Sequence, residues 1–256
     1  MDRPFYPEKI LELIPVLLPY LLVTFRIIAG TVLTGLFIGF FLAKGMLSSH
    51  NAPRKISSLI INAFRCTPSI VMLFVVFYGL PNLFWAIFKV DINGWAKSFY
   101  VILALGLLFS ASAAEIMRAS YLSVPKGQRE AALTSGLTEF QVFRRIVFPQ
   151  AFAVSLPNLG NSLIALLKEG SLAYTIGLVD VMGKGNLFIS MNFGAYAVET
   201  YTALAFIYWM LTISIEQIFG RLEKHFSRGR KTFFTWKKNI FHVEEKLFNW
   251  ENLCLM

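Results

Sequence analysis

The chain is poor in charge, histidine and cysteine, and each shortage closes off a class of function. Only 15% of its 256 residues are charged, whereas soluble domains carry about 25%. The histidines are His50, His225 and His242. None is clustered with acids at a metal-binding spacing, which leaves little to build a hydrolase on. Cys66 and Cys254 are too few for a disulfide framework. No G-x-x-x-x-G-K-[ST] run occurs, so the chain has no P-loop with which to hydrolyse ATP. Alternating strand patterns are missing as well, which argues against a membrane barrel.

Apolar residues make up 56% of the chain and aromatics 15%, including 25 Phe. Such a chain hides its backbone polar groups inside helices, because lipid offers them no partner. The expected fold is all-α and polytopic. A membrane helix needs roughly 20 apolar residues, and five segments qualify: Leu21–Ala43, Ser58–Leu80, Phe99–Ala119, Gln150–Leu167 and Val198–Phe219. Residues 1–20, with Pro15 and Pro19, read as an interfacial stretch. The acidic and basic residues of Met1–Glu12 and the lack of a small-residue cleavage site speak against a cleaved signal. Pro157 and Gly160 interrupt the fourth segment, and Leu172–Val181 is a further short apolar stretch, read as re-entrant or as an outer-surface helix.

The net charge of +9 belongs to loops. Lys44, Arg54 and Lys55 follow span one; Lys126, Arg129, Arg144 and Arg145 follow span three; Arg221 to Lys238 follow span five. The positive-inside rule then puts the N-terminus outside and the C-terminus in the cytoplasm, with no call for nucleic acid as a partner. The region 225–256, with Phe233, Phe234, Trp236, Lys237 and Lys238, reads either as a basic helix on anionic lipid or as a disordered tail.

Between spans three and four lies a charged island, about residues 125–149. Glu130-Ala131-Ala132 is followed by Gly136, then Ile146, then Pro149. Arg129 to Leu133 suit a helix, Gly136 suits its end, and Phe140 to Val142 start another. A helix with the small face Ala131, Ala132, Gly136 can approach another surface closely. Alone, Glu-Ala-Ala would also fit an amphipathic helix on the membrane surface.

With the spacing of Gly136, Ile146 and Pro149, the island resembles the EAA loop of ABC-importer membrane subunits. Further runs resemble the polar-amino-acid branch of those permeases: Phe64-Arg65-Cys66-Thr67-Pro68, Phe77-Tyr78-Gly79-Leu80-Pro81, Glu115-Ile116-Met117-Arg118-Ala119, Ser123 to Gln128, Leu156-Pro157, and Lys168-Glu169-Gly170-Ser171-Leu172. The likeness covers roughly residues 24–224, with 21–224 as the transmembrane domain. Cys66 and Gly170 depart from the usual Gly and Thr.

The resemblance implies a coupling helix that docks on a separate ATPase through Glu130, Ala131, Ala132, Gly136, Ile146 and Pro149. It implies ATP-Mg on that ATPase and no cofactor on this chain, a second permease subunit (identical or homologous), an outer solute-binding protein, and a plasma-membrane location. Relatives for basic amino acids often carry Glu where this chain has Ser162. A neutral polar amino acid, or cystine, is therefore the expected cargo. A stand-alone secondary transporter is the alternative; it predicts repeated halves, an intramembrane acid for ion coupling, or both, whereas no clear repeat is seen and the span interiors lack an unpaired Asp.

Polar groups at membrane depth mark candidate sites. Asn158, Asn161 and Ser162 share one face of span four, and with Thr67 they form the expected substrate path. Pro68 is expected to kink span two. Glu115 and Arg118, three apart, are placed to pair. Arg26 reads as snorkelling to the interface. Lys168-Glu169 reads either as a neutralising pair or as part of a gate. Gly35 and Gly39 form a G-x-x-x-G step for close packing, within the chain or between subunits.

Overall fold

The computed structural model describes residues 5–226. Apart from its first two residues, the tail expected over 225–256 therefore lies outside the described residues. All regular structure among the described residues is helical. In chain order the helices are α1 (Pro7–Leu17), α2 (Leu21–Met46), α3 (Asn51–Cys66), α4 (Ser69–Phe74), α5 (Leu80–Phe88), α6 (Lys97–Leu122), α7 (Lys126–Thr134), α8 (Glu139–Val142), α9 (Phe148–Gly170), α10 (Val181–Met191) and α11 (Ala197–Phe226). Five stretches are long and apolar enough to cross a membrane: Pro7–Met46, Ser69–Phe88, Lys97–Leu122, Glu139–Ile176 and Ala197–Phe226.

The fold is organised around α6, which packs against α2, α3, α4 and α9. Small residues set how closely α2 approaches it. A Cβ on Gly35 would lie 2.6 Å from a ring carbon of Phe109, and one on Gly39 would lie 2.9 Å from the Ser110 carbonyl oxygen. The G-x-x-x-G step is thus an intramolecular seam. Across it sit Ala111, Ala113 and Ala114, all fully buried. Close backbone approach maximises dispersion contact where the surrounding lipid is as apolar as the helices. The outward face of α2 is different in kind, carrying exposed Leu33, Phe37, Phe40 and Phe41.

The second span differs from the expected Ser58–Leu80. Helix α3 stops at Cys66, Thr67 and Pro68 are extended (ψ 123° and 141°), and the membrane-length stretch begins at Ser69. Pro68 therefore breaks the chain into two helices instead of kinking one. The ring of Pro68 drives Thr67 out of the helical region. The Thr67 hydroxyl donates to the Ala63 carbonyl at 2.8 Å, which helps satisfy the end of α3. A widened turn at Val75–Gly79 joins α4 to α5.

Pro157 does not interrupt span four, for α9 runs unbroken from Phe148 to Gly170. Gly160 receives the ring of Phe219 from α11, about 3.0 Å from where a Cβ would sit. The stretch ahead of span one is itself helical. Leu13 and Leu17 of α1 are buried against Ala203, Leu204 and Ile207 of α11. Arg118 pairs with Glu115, its Nε and Nη2 donating to Oε2 at 3.0 and 2.8 Å.

Outside the spans, Asp180 caps α10. It is fully buried, and its Oδ1 accepts from the Gly183 N–H at 2.8 Å. The Thr24 hydroxyl, from α2, lies 3.5 Å from its Oδ2. Burial pushes this carboxyl up to about 6, although the Gly183 N–H pulls the other way.

Two outcomes follow. Gly39→Leu wedges the α2–α6 seam apart and costs on the order of 1–3 kcal/mol or more. It should lower the melting temperature of the detergent-solubilised protein sharply, whereas Leu33→Ala, on the exposed face, leaves it nearly unchanged. For Asp180 the raised carboxyl means that the folded chain holds its proton longer than the unfolded chain does. Stability therefore falls as pH rises from about 4 to about 6. Asp180→Asn should melt above the parent at about pH 7, with the gap closing towards about pH 4; a pH series of melting curves reads this directly.

Candidate functional site

Two regions gather the residues singled out in the sequence. The first is the island between spans three and four. Helix α7 ends in a left-handed Gly136, at φ 84°. The Gly136 N–H donates to the Leu133 carbonyl at 3.0 Å, and the Leu137 N–H donates to the Ala132 carbonyl at 3.2 Å. This is the Schellman pattern, and the φ it needs is cheap only for glycine. Helix α8 starts with a capping box. Gln141 N–H donates to the Thr138 hydroxyl at 3.4 Å, and Thr138 N–H donates to the Gln141 side-chain oxygen at 3.0 Å. A widened turn, Phe143–Val147, leads into α9.

The island has a small core of its own. Ala132, Val142 and Val147 are buried together, with Leu137 and Ile146 packed against them. Arg129 Nη2 bridges to Glu139, 2.9 and 2.8 Å from its two carboxylate oxygens, which clamps α7 to α8. The sites expected for docking therefore divide. Ala132 is buried and Ile146 half-buried, inside the unit, while Glu130, Ala131, Gly136 and Pro149 are exposed on its surface. The Arg129–Glu139 bridge was not foreseen, since a separation of ten residues gives no periodic signal.

The second region is a cavity of about 260 Å³ between α6, α9 and the break before α4. Arg65, Thr67 and Ser69 line it at the break, Ser112 on α6, and Ser162 and Glu169 on α9. Extended backbone at Thr67–Pro68 is what turns these groups towards the interior. Irregular backbone at membrane depth is tolerated where it is buried in protein or lines a cavity. Among the described residues neither Arg65 nor Glu169 takes part in an ion pair within 4 Å. One guanidinium and one carboxylate thus share a space with hydroxyls and no mutual neutralisation.

Thr67 and Ser162, expected on the path, both line this cavity. Asn158 and Asn161 do not; they lie on the exposed side of α9. In the sequence Glu169 reads with Lys168 as a neutralising pair or as part of a gate, and Arg65 within the run Phe64 to Pro68; the structure brings the two to one cavity. Ser112 gave no signal, because one serine in an apolar helix reads as filler.

A family profile described as binding-protein-dependent transport system inner membrane component matches residues 35–228. The chain is 36% identical over 230 residues to the L-cystine transport system permease protein TcyL of Bacillus subtilis (strain 168), covering 90% of this chain and 95% of that one. It is 37% identical over 223 residues to the probable amino-acid permease protein YxeN of the same organism, covering 86% and 94%. Among solved structures it resembles the crystal structure of an amino acid ABC transporter with histidines, with a TM-score of 0.74 and 27% identity, covering 87% of this chain and 100% of that chain.

The island's own core makes a prediction that needs no partner. Ala132→Asp buries a charge in it and should speed proteolytic cleavage within 125–149 more than tenfold. Ala131→Asp, one residue away on the exposed face, should leave the cleavage rate as it is. Limited proteolysis of the purified protein separates the two.

Proposed function

The chain belongs to the binding-protein-dependent transport system inner membrane components, an ABC-importer permease family of transport subunits and not enzymes, and on that premise we propose that it carries a polar amino acid, cystine or a neutral polar one, received from an outer solute-binding protein. The observation that carries this reading is the cavity in which Arg65 and Glu169 stand unpaired. An amino acid is a zwitterion. Its carboxylate suits a guanidinium and its ammonium a carboxylate, with charge-assisted hydrogen bonds to both. The hydroxyls of Thr67, Ser69, Ser112 and Ser162 suit a polar side chain. Among the described residues the cavity wall holds no second acid, which fits a cargo without a cationic side chain. The cystine permease among the relatives is in keeping with this.

Energy comes from outside the chain. Cytoplasmic ATPase subunits bind ATP-Mg and dock on the island through Glu130, Ala131, Gly136 and Pro149, with Ala132 and Ile146 holding the docking unit in shape. Closure of the ATPases moves that unit, and with it the inner ends of spans three and four, so that the cavity opens alternately to each side. Two permease subunits complete the machine. The N-terminus lies outside and the C-terminus inside, an orientation that the distribution of basic loops favours. A stand-alone carrier has less support, since among the described residues Glu169 is the one acid that lines the cavity and the zwitterion reading uses it for the cargo's ammonium.

The test is co-purification with the partner ATPase, combined with uptake by the reconstituted complex. Gly136→Asp adds a charge on the docking face. Nothing lies within 4 Å of a Cβ there, so the side chain has room, while the left-handed backbone adds local strain that Asp bears better than most residues. It should lose the ATPase while remaining folded. Glu169→Gln should keep the ATPase and lose at least tenfold in uptake. Normal uptake by Gly136→Asp overturns the coupling role, and normal uptake by Glu169→Gln overturns the zwitterion site.

A further inference from the structure

A second cavity, of about 970 Å³, lies between α2, α6 and α9 at the ends nearest the island. It shares no lining residue with the cargo cavity. Its walls are apolar, with Leu36 on α2, Met117 on α6, and Phe152 and Leu159 on α9. Phe40 and Phe148 line it and are themselves exposed, so it is open on one side. Water needs polar partners and has few along these walls. The depth is informative. Leu36 stands eight residues back from Lys44 along α2, about 12 Å at 1.5 Å per residue, and the lining of α9 from Phe148 to Leu159 spans about 16 Å. One leaflet contributes about 15 Å, half of a hydrocarbon core about 30 Å thick. The cavity therefore has the reach of a single acyl chain.

Its mouth is of another kind. Lys44, in the last turn of α2, is the one charged residue among those that line the cavity, and Ser48 and Ser49 lie beside it on the connector to α3. Among the described residues Lys44 takes part in no ion pair within 4 Å. No acidic residue occurs between Glu12 and Asp91, so neither α2, nor α3, nor their connector offers it a counter-charge. On α6 the acid Glu115 is already held by Arg118. The rim gains further positive charge from exposed Arg54, next to the lining residue Pro53, and exposed Arg144, next to the lining residue Phe143.

We infer that this cavity binds a phospholipid of net negative charge, one acyl chain filling the space between the helices and the headgroup phosphate held by Lys44 with the hydroxyls of Ser48 and Ser49. An ammonium on a phosphate oxygen makes a charge-assisted hydrogen bond. Basic pockets between membrane helices suit acidic headgroups. A zwitterionic headgroup brings its own cation to a rim that is already positive, so the rim favours the acidic lipid. The site also touches the island. Phe143 belongs to the widened turn that leads into α9, and Tyr121 packs against the island's core. The rings of Phe143, Phe148 and Phe152 follow one another at 6.0 and 5.9 Å along the wall. A chain lying against them braces the turn by which the island joins α9. The site stands whether or not a solute passes through the other cavity.

The test uses the full chain, purified in mild detergent, delipidated, and titrated with dioleoyl phosphatidylglycerol or dioleoyl phosphatidylcholine. Native mass spectrometry counts the lipid bound per chain. The parent should hold phosphatidylglycerol at least fivefold more tightly than phosphatidylcholine. Lys44→Gln, at an exposed helix end where folding is not at stake, should bring the two within twofold. Arg26→Gln removes a cation near the other end of the same helix and should leave the preference as it is. Ala151→Trp fills the space and should weaken retention of both lipids at least fivefold. Limited proteolysis then locates the site: phosphatidylglycerol should slow cleavage within 125–149 at least threefold in the parent and not in Lys44→Gln. Equal retention of the two lipids by the parent overturns the inference. So does a preference that survives in Lys44→Gln or is lost in Arg26→Gln. No retained lipid, as when another segment of chain fills the space, overturns it too, and so does a cleavage rate that responds to the lipid identically in Lys44→Gln and the parent.

Discussion

The close approach of α2 to α6 is the constraint on which the other packing rests. Where Gly35 meets Phe109 and Gly39 meets Ser110, the two helices lie closer than any side chain would allow. That proximity leaves α6 with three further sides to offer, and α3, α4 and α9 take them. In lipid, apolar burial gives little drive for helices to associate, so shape has to supply it. The seam supplies it by bringing backbone against backbone. The aromatic residues that fill the outward face of α2 are left for the bilayer.

Around this centre the fold places polar chemistry at its irregularities. The break at Thr67–Pro68 opens a gap beside α6, and the residues flanking it become lining of a cavity instead of filler of a helix. The same economy governs the island between spans three and four, where a glycine-terminated helix and a capping box let the chain reverse twice within a few residues. In both places a residue type with one backbone speciality, proline in one and glycine in the other, fixes where side chains can point.

Much of this was legible in the sequence. Span number followed from the length of apolar runs, and the end of α7 followed from Gly136, because each depends on local chemistry. The extent of span two was not. The run Ser58–Leu80 is apolar enough to pass as one helix, and only the preference of a pre-proline residue for extended backbone separates it into two. Of the expected path residues, Thr67 and Ser162 line the cavity and Asn158 and Asn161 do not. Helical spacing groups residues onto one face, but a face some 100° wide can look two ways, and only the neighbouring helices decide which part meets the cavity. Arg65 and Glu169, about a hundred residues apart, could not be joined by any periodicity.

The small core under α7 has a mechanical side. Ala132, Val142 and Val147 are packed, and Arg129 is bridged to Glu139, before anything docks there. A surface prepared in this way gives up little conformational freedom on meeting a partner. It also has little slack. A segment that had to order itself would absorb part of an applied displacement. A unit already locked between α6 and α9 passes it on to both, so that whatever pushes α7 moves the adjoining ends of two membrane helices in step.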